Sequence, residues 1–151
     1  MNVDKVMTRQ VQSISPSQVV ADIHLIFRNA AYHHLPVLDE GRLVGIISDR
    51  DLSRCLSPFL DTSNERPEDR AQLNIAVRDI MSTDIVTVDS TTSVETASIL
   101  LLENRISCLP VVTHDLQLEG LLTWKDILRY HVYFDEAAQD GNATNNSEEE
   151  E

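Results

Sequence analysis

The chain carries one unit twice. Val6-Met7-Thr8 falls on Ile80-Met81-Ser82 at an offset of 74 residues, Val11–Ile14 falls on Ile85–Val88, and Leu35-Pro36-Val37-Leu38 falls on Leu109-Pro110-Val111-Val112. After a shift of one residue, GIISDRD (Gly45–Asp51) falls on GLLTWKD (Gly120–Asp126). Matching residue types in one order over about fifty positions mark an internal duplication, which is more specific than any single motif. Two copies of one unit imply pseudo-twofold packing, and this limits the architectures open to the chain.

Each copy predicts the order β-α-β-β-α. Val11–Ile14 alternates like a half-buried strand, and Val19 or Val20, Ile23, Ile26 or Phe27 and Ala30 share one helical face. HLPVL and LVGIIS are short, rich in β-branched residues and separated by DEGR, which is hairpin chemistry, and DRDLSRCL opens a second helix. The second copy repeats this with IVTV, SVETASILLLEN, CLPVV, LEGLLT and WKDILRYHV, with a capping box expected at Thr92 and Glu95. The fold class is therefore α/β (α+β), built from two such repeats at residues 4–56 and 77–133. The polar, proline-containing stretch 57–76 between them reads as a linker. At 151 residues the two halves can share enough apolar surface for a core, whereas neither is comfortable alone.

Charge bears on partners. The formal net charge is −13, but seven acids and no bases follow Asp135 inclusive, leaving eighteen acids against twelve bases before it. Residues 134–151 read as an acidic, disordered tail. With no basic stripe, nucleic acid is not expected as a partner. No apolar run is long enough to span a bilayer and the N-terminus lacks a signal-type stretch, so a cytoplasmic protein without a membrane partner is expected. Cys55 and Cys108 have no C-x-x-C spacing and read as buried free thiols. His33 and His34 are adjacent on a predicted strand, and His24, His114 and His131 add no complementary spacing, so no metal site is expected.

Ser48 followed by Asp51, and Thr123 followed by Asp126, sit at strand-to-helix junctions and satisfy the demands of a capping box without any ligand. Three features suggest more. Gly45 and Gly120 remove side-chain bulk where a ligand or another backbone approaches. Arg50 and Lys125 place a cation in a helix's first turn, where acids are electrostatically preferred. A carboxylate beside helix-terminal amides can accept from both ribose hydroxyls while hydroxyl and amide groups face phosphate.

The duplicated β-α-β-β-α unit, the V-M-T or I-M-S opening, the L-P-V strand and the G-φ-φ-[ST]-x-x-D ending resemble a tandem pair of cystathionine-β-synthase (CBS) domains, the arrangement called a Bateman module. The resemblance implies regulatory binding of AMP, ADP, ATP or another adenosyl ligand in clefts between the repeats, and pairing into a homodimer. It implies one site made of Ser48, Arg50 and Asp51 with His33 and His34, closed by Thr83, Asp84, Ile85 and Val86 of the other repeat. A second, weaker site comprises Thr123, Lys125 and Asp126 with Ser107 and Cys108, closed by Thr8, Arg9, Val11 and Gln12. The histidines favour the first site for phosphate, with binding that weakens as pH rises, or else they are ordinary strand residues, one facing in and one out. Trp124, inside the second motif, either stacks near a ligand or packs against a helix or dimer partner.

The sequence lacks G-x-S-x-G, H-E-x-x-H, P-loop and G-x-G-x-x-G motifs, so catalysis and a catalytic cofactor are not expected. The favoured expectation is an adenine-nucleotide sensor acting on an effector protein in trans. The alternatives are a structural dimerisation module with empty sites and a binder of S-adenosylmethionine or NAD.

Overall fold

The computed structural model describes the backbone of residues 1–143, with side chains through Phe134. The first repeat contains α1 (Val20–Asn29), β1 (His34–Asp39), β2 (Arg42–Ser48) and α2 (Asp49–Cys55); the second contains α4 (Val94–Asn104), β3 (Cys108–Val112), β4 (Leu118–Thr123) and α5 (Trp124–Ala143). Both hairpins are antiparallel. Val37 faces Gly45 and Val111 faces Gly120, and each ladder slips immediately afterwards, between Val37 and Leu38 and between Val111 and Val112. The first hairpin closes through Glu40 and Gly41, at φ 49° and 80°. Two positive φ angles in a two-residue loop match the twist of the flanking strands, and glycine takes the second at no steric cost.

The strand expected at the head of each repeat shrinks to a single bridging residue. Ile14 pairs in parallel with Val37, its N–H donating to Pro36 O (3.0 Å) and its carbonyl accepting from Leu38 N–H (2.8 Å). Val88 does the same between Pro110 O (3.0 Å) and Val112 N–H (2.9 Å). The next step back along either ladder needs an N–H from Pro36 or Pro110, and proline has none. The two L-P-V motifs thus stop the strands that precede them.

The openings of the repeats are exchanged. Thr8 makes two backbone hydrogen bonds to Leu121 of β4, both 2.9 Å, and Ser82 makes two to Ile46 of β2, both 3.0 Å. Val3 and Met7 accordingly pack in the core of the second repeat, with Val94, Leu101, Leu109 and Leu122. Val77 lies in the core of the first, with Ile23, Leu35, Val37 and Ile47, and Ile80 and Met81 pack against it. The hairpins also meet at their tips, where Leu43 N–H donates to Leu116 O (2.9 Å) and Arg42 Nε to Asp115 O (3.0 Å).

The connection at 57–76 carries structure of its own. A short helix, α3 (Pro67–Ala71), starts with Asp69 accepting from the Arg66 backbone N–H at 2.8 Å and from its guanidinium at 3.1 and 3.3 Å. These bonds hold the Asp69 carboxyl down to a pKa of about 2. Two further expectations shift. The cap of α4 is Ser93, whose hydroxyl accepts from Thr96 N–H at 3.0 Å, rather than Thr92 with Glu95. Thr92 is occupied one step earlier, its backbone N–H closing a turn onto Asp89 O (3.1 Å). And α5 continues to Ala143, past residue 133, because Glu136, Ala137, Ala138 and Gln139 are good helix formers and no proline interrupts them. The remainder of the expected tail, 144–151, lies outside the described residues. Among the described residues no helix is long and apolar enough to cross a membrane.

Candidate functional site

The first repeated motif forms the reciprocal cap its spacing predicts, the second forms only the half in which the aspartate accepts, and the two aspartates end in different states. In the first, Asp51 Oδ2 accepts from Ser48 N–H (3.0 Å) and Ser48 Oγ accepts from Asp51 N–H (3.1 Å). Among the described residues the second oxygen, Oδ1, has only Arg54 at 4.0 Å, and the side chain is 27% exposed. In the second, Asp126 Oδ2 accepts from Thr123 N–H (2.9 Å) and Thr123 Oγ1 (3.1 Å), while Oδ1 accepts from Thr8 Oγ1 (3.2 Å) and faces Arg129 at 3.6 Å. Asp126 is 3% exposed. One carboxylate keeps an oxygen with no hydrogen bond among the described residues; the other is closed over by Thr8 of the opposite repeat.

The glycines of the two motifs answer to protein. A Cβ on Gly45 would stand 2.5 Å from Met81 Sδ, and one on Gly120 would stand 2.7 Å from Thr8 O and 2.9 Å from Met7 Sδ. The G of each motif therefore exists for the V-M-T or I-M-S opening of the other repeat, so two motifs read separately in the sequence are two sides of one contact.

His33 and His34 both face the cleft between the repeats. His33 Nδ1 lies 2.9 Å from Asp49 Oδ2, and this hydrogen bond holds the Asp49 carboxyl below its usual range. His34 Nε2 lies 3.0 Å from Ser107 Oγ, joining a first-site candidate to a second-site one. Burial lowers the His34 pKa below its ordinary 6.5, with Asp49 opposing the shift. At neutral pH His34 is thus a neutral hydrogen-bonding partner, not the cation that a pH-weakened phosphate site would use. Burial and the nearby Asp126 push the Cys108 thiol up to about 12, so it remains an un-ionised thiol.

The candidate residues converge on one continuous cleft of about 1450 Å³ rather than on two separate pockets. Ser48, Arg50 and Asp51 line it together with Asp84, Ile85 and Val86 from the other repeat. Thr123, Lys125, Ser107, Cys108, Thr8 and Val11 line it from the second-site set. Thr83, Arg9, Gln12 and Asp126 are not on its wall; Arg9 instead donates to Asp4 O at 2.9 Å. Tyr32, Asp49, Arg54, Ser82, Leu101 and Leu128 also line the cleft, although none of them is among the residues expected there from the sequence. Arg105, at the C-terminal cap of α4 with φ 53°, lines it too. An arginine where a helix end would favour glycine is a sequence-level signal for it. Trp124 is anchored through its indole N–H to Ile106 O (3.2 Å) and forms part of the wall. Among the described residues no group of three His, Cys, Asp or Glu could hold a metal ion.

A model of the CBS domain family matches residues 3–58 and again 77–133. An uncharacterized protein of Methanocaldococcus jannaschii is 30% identical over 129 residues, 85% of this chain and 46% of its own length, so this chain spans less than half of that relative. A CBS domain-containing protein of Dictyostelium discoideum is 35% identical over 131 residues, covering 82% of this chain and 90% of its own. Among solved structures, the CBS-pair protein CBSX2 of Arabidopsis thaliana superposes with a TM-score of 0.74 at 31% identity, over 89% of this chain and 96% of that one. A structure of CBSX2 in complex with AMP matches at 30% identity with a TM-score of 0.73, over 87% and 96%.

Proposed function

The chain belongs to the CBS-domain family, and we propose that it is a regulatory sensor of adenine nucleotides, AMP, ADP or ATP, held in the cleft between its two repeats. The observation that carries this reading is the Asp51 carboxylate. One of its oxygens makes the cap; the other has no hydrogen-bond donor among the described residues, and Asp51 lines a cleft whose far wall is Asp84, Ile85 and Val86 of the second repeat. A ribose placed there can donate both hydroxyls to that carboxylate, and Ile85 and Val86 offer an apolar cover for the base. AMP is bound in the similar CBSX2 structure, which supports the ligand class. Asp126, with both oxygens occupied inside the protein, offers no equivalent, so one nucleotide per chain is proposed.

A ligand touching both repeats makes their relative orientation depend on occupancy, and a homodimer would then shift between two shapes read by an effector protein in trans. The exposed apolar side chains Ile99, Leu102, Leu128 and Val132 on α4 and α5 are the surface proposed for pairing, with sedimentation analysis as the check. Isothermal titration with AMP, ADP, ATP, S-adenosylmethionine and NAD tests the ligand. Asp51→Asn keeps the cap acceptor yet removes a charged ribose acceptor, and is expected to weaken nucleotide binding by about tenfold or more. Asp126→Asn should instead lower stability by about 1–3 kcal/mol while weakening binding less. Equal losses of affinity in the two variants would refute the one-sided site, and no heat with any of the five ligands would favour a structural dimerisation module.

A further inference from the structure

The two hairpins are joined at both ends, and unequally. At the tips the tie is main chain: Leu43 N–H donates to Leu116 O at 2.9 Å, Arg42 bridges Gln117, and Arg42 Nε donates to Asp115 O at 3.0 Å. At the bases, where His34 opens β1 and Ser107 immediately precedes β3, the tie among the described residues is one side-chain bond, between His34 Nε2 and Ser107 Oγ at 3.0 Å. Ser107 is exposed, so water competes for that bond. The two ends also differ in what they border. His34, Ser48, Ser107 and Thr123 at the bases line the cleft, whereas Arg42, Leu43, Asp115 and Leu116 at the tips are not on its wall. Rotation about the tips therefore changes the width of the cleft. The chain has slack for it, because the segments that cross between the repeats, residues 9–13 and 83–87, belong to no helix or ladder.

His34 is the group in this tie that can change charge. It is half-buried and its pKa is lowered, first by burial; Asp49 and Asp51 favour its charged form, while His33 and Arg50 oppose it. Asp49 is itself engaged by His33 at 2.9 Å. Arg54 of α2 faces the same cleft, as do Asp84, Arg105, Lys125 and the un-ionised Cys108 thiol of the second repeat. With the bases together, His34 binds a proton less readily than a solvated imidazole does. By linkage the proton shifts the balance toward bases apart: the contribution of neutral His34 to closure is complete above the ordinary value of 6.5 and is lost as pH falls below it toward the lowered value. Protonation does not forbid the bond, since Nε2–H can still donate to Ser107 Oγ. The drive is the hydration that a charged imidazole recovers when the bases part.

From this geometry we propose that the paired hairpins work as a jaw: the tips are the pivot, His34 and Ser107 are the latch, and protonation of His34 releases it and opens the cleft. The device belongs to the chain alone and does not rest on the nucleotide reading.

Trp124 is a built-in reporter. It is the single tryptophan of the chain and lines the cleft, and its backbone and indole N–H groups donate to Ser107 O (3.4 Å) and Ile106 O (3.2 Å). Trp124 emission and acrylamide quenching of the full chain are followed from about pH 8 to about pH 5, the window in which histidine titrates, with circular dichroism alongside and the His34 ring signals read by NMR. The parent chain should show one reversible transition below 6.5 toward greater quencher access, with its circular dichroism unchanged. His34→Gln keeps an amide for Ser107 but cannot titrate, so the transition should be lost and Trp124 left shielded. Ser107→Ala should raise quencher access already at neutral pH and move the His34 midpoint up toward 6.5. His33→Gln should retain the transition. A flat parent signal, a transition that survives in His34→Gln or disappears in His33→Gln, a His34 midpoint unmoved by Ser107→Ala, or a loss of helical signal in step with the Trp124 change would each overturn the latch. None of these outcomes bears on which ligand the cleft takes.

Discussion

Gly45 and Gly120 occupy equivalent positions and face unequal neighbours. The nearest atoms to a new Cβ at Gly45 are the flexible end of Met81, whereas at Gly120 the nearest is the backbone oxygen of Thr8, which is itself hydrogen-bonded to Leu121. A methionine can rotate away; a backbone held by two hydrogen bonds yields less easily. Gly120→Ala is therefore expected to destabilise by about 2–3 kcal/mol and Gly45→Ala by about 1 kcal/mol, within the range for overpacked interiors. Urea unfolding of the two variants measures the difference, and equal losses would show that the Thr8 backbone yields as easily as Met81. The same pair of motifs shows what the chain reveals as a string of letters. Capping by Ser48 with Asp51 is legible because both residues lie within one turn. Closure of Asp126 by Thr8 is not, because the donor is 118 positions away and becomes a neighbour only once the repeats have packed.

At the level of elements, hydrophobic period and the hairpin signals locate the α and β segments that build each repeat. Where expectation and structure part, local backbone chemistry is responsible. Pro36 and Pro110 withhold the N–H that a third strand would need, so Val11–Ile14 and Ile85–Val88 alternate like strands yet bridge at one residue each. The start of α4 is displaced by one position because Thr92 lies in the turn begun by Asp89 and Ser93 is the first residue free to cap. Ser93→Ala should accordingly cost about 1 kcal/mol of stability, while Thr92→Ala should cost much less, since its hydroxyl only grazes Asp89 at 3.4 Å. Thermal or chemical denaturation of the two variants decides it, and a larger loss at Thr92 would restore the capping box read from the sequence.

At the scale of the molecule, each hydrophobic core contains side chains from both repeats, Val3 and Met7 in one and Val77 with Met81 in the other. Folding should therefore be a single cooperative transition. A fragment ending at residue 58, or one beginning at residue 83, retains a hairpin and two helices but lacks the segment that covers its sheet. Neither is expected to show cooperative unfolding alone, and mixing fragments 1–58 and 59–143 should recover a folded complex, as circular dichroism would report. Well-folded separate fragments would contradict the shared cores.

The exchange of the opening segments has a corollary for how such a unit is assembled. A single repeat would possess a vacant sheet edge beside β2 or β4 and an opening segment whose bridging residue, Thr8 or Ser82, pairs with the other repeat's edge. Two separate copies would thus satisfy each other, but only above a threshold concentration. Joining them through the stretch at 57–76 replaces that encounter with an intramolecular one, at an effective concentration on the order of millimolar for a short tether. What two molecules would have to find by diffusion, one chain holds permanently within reach.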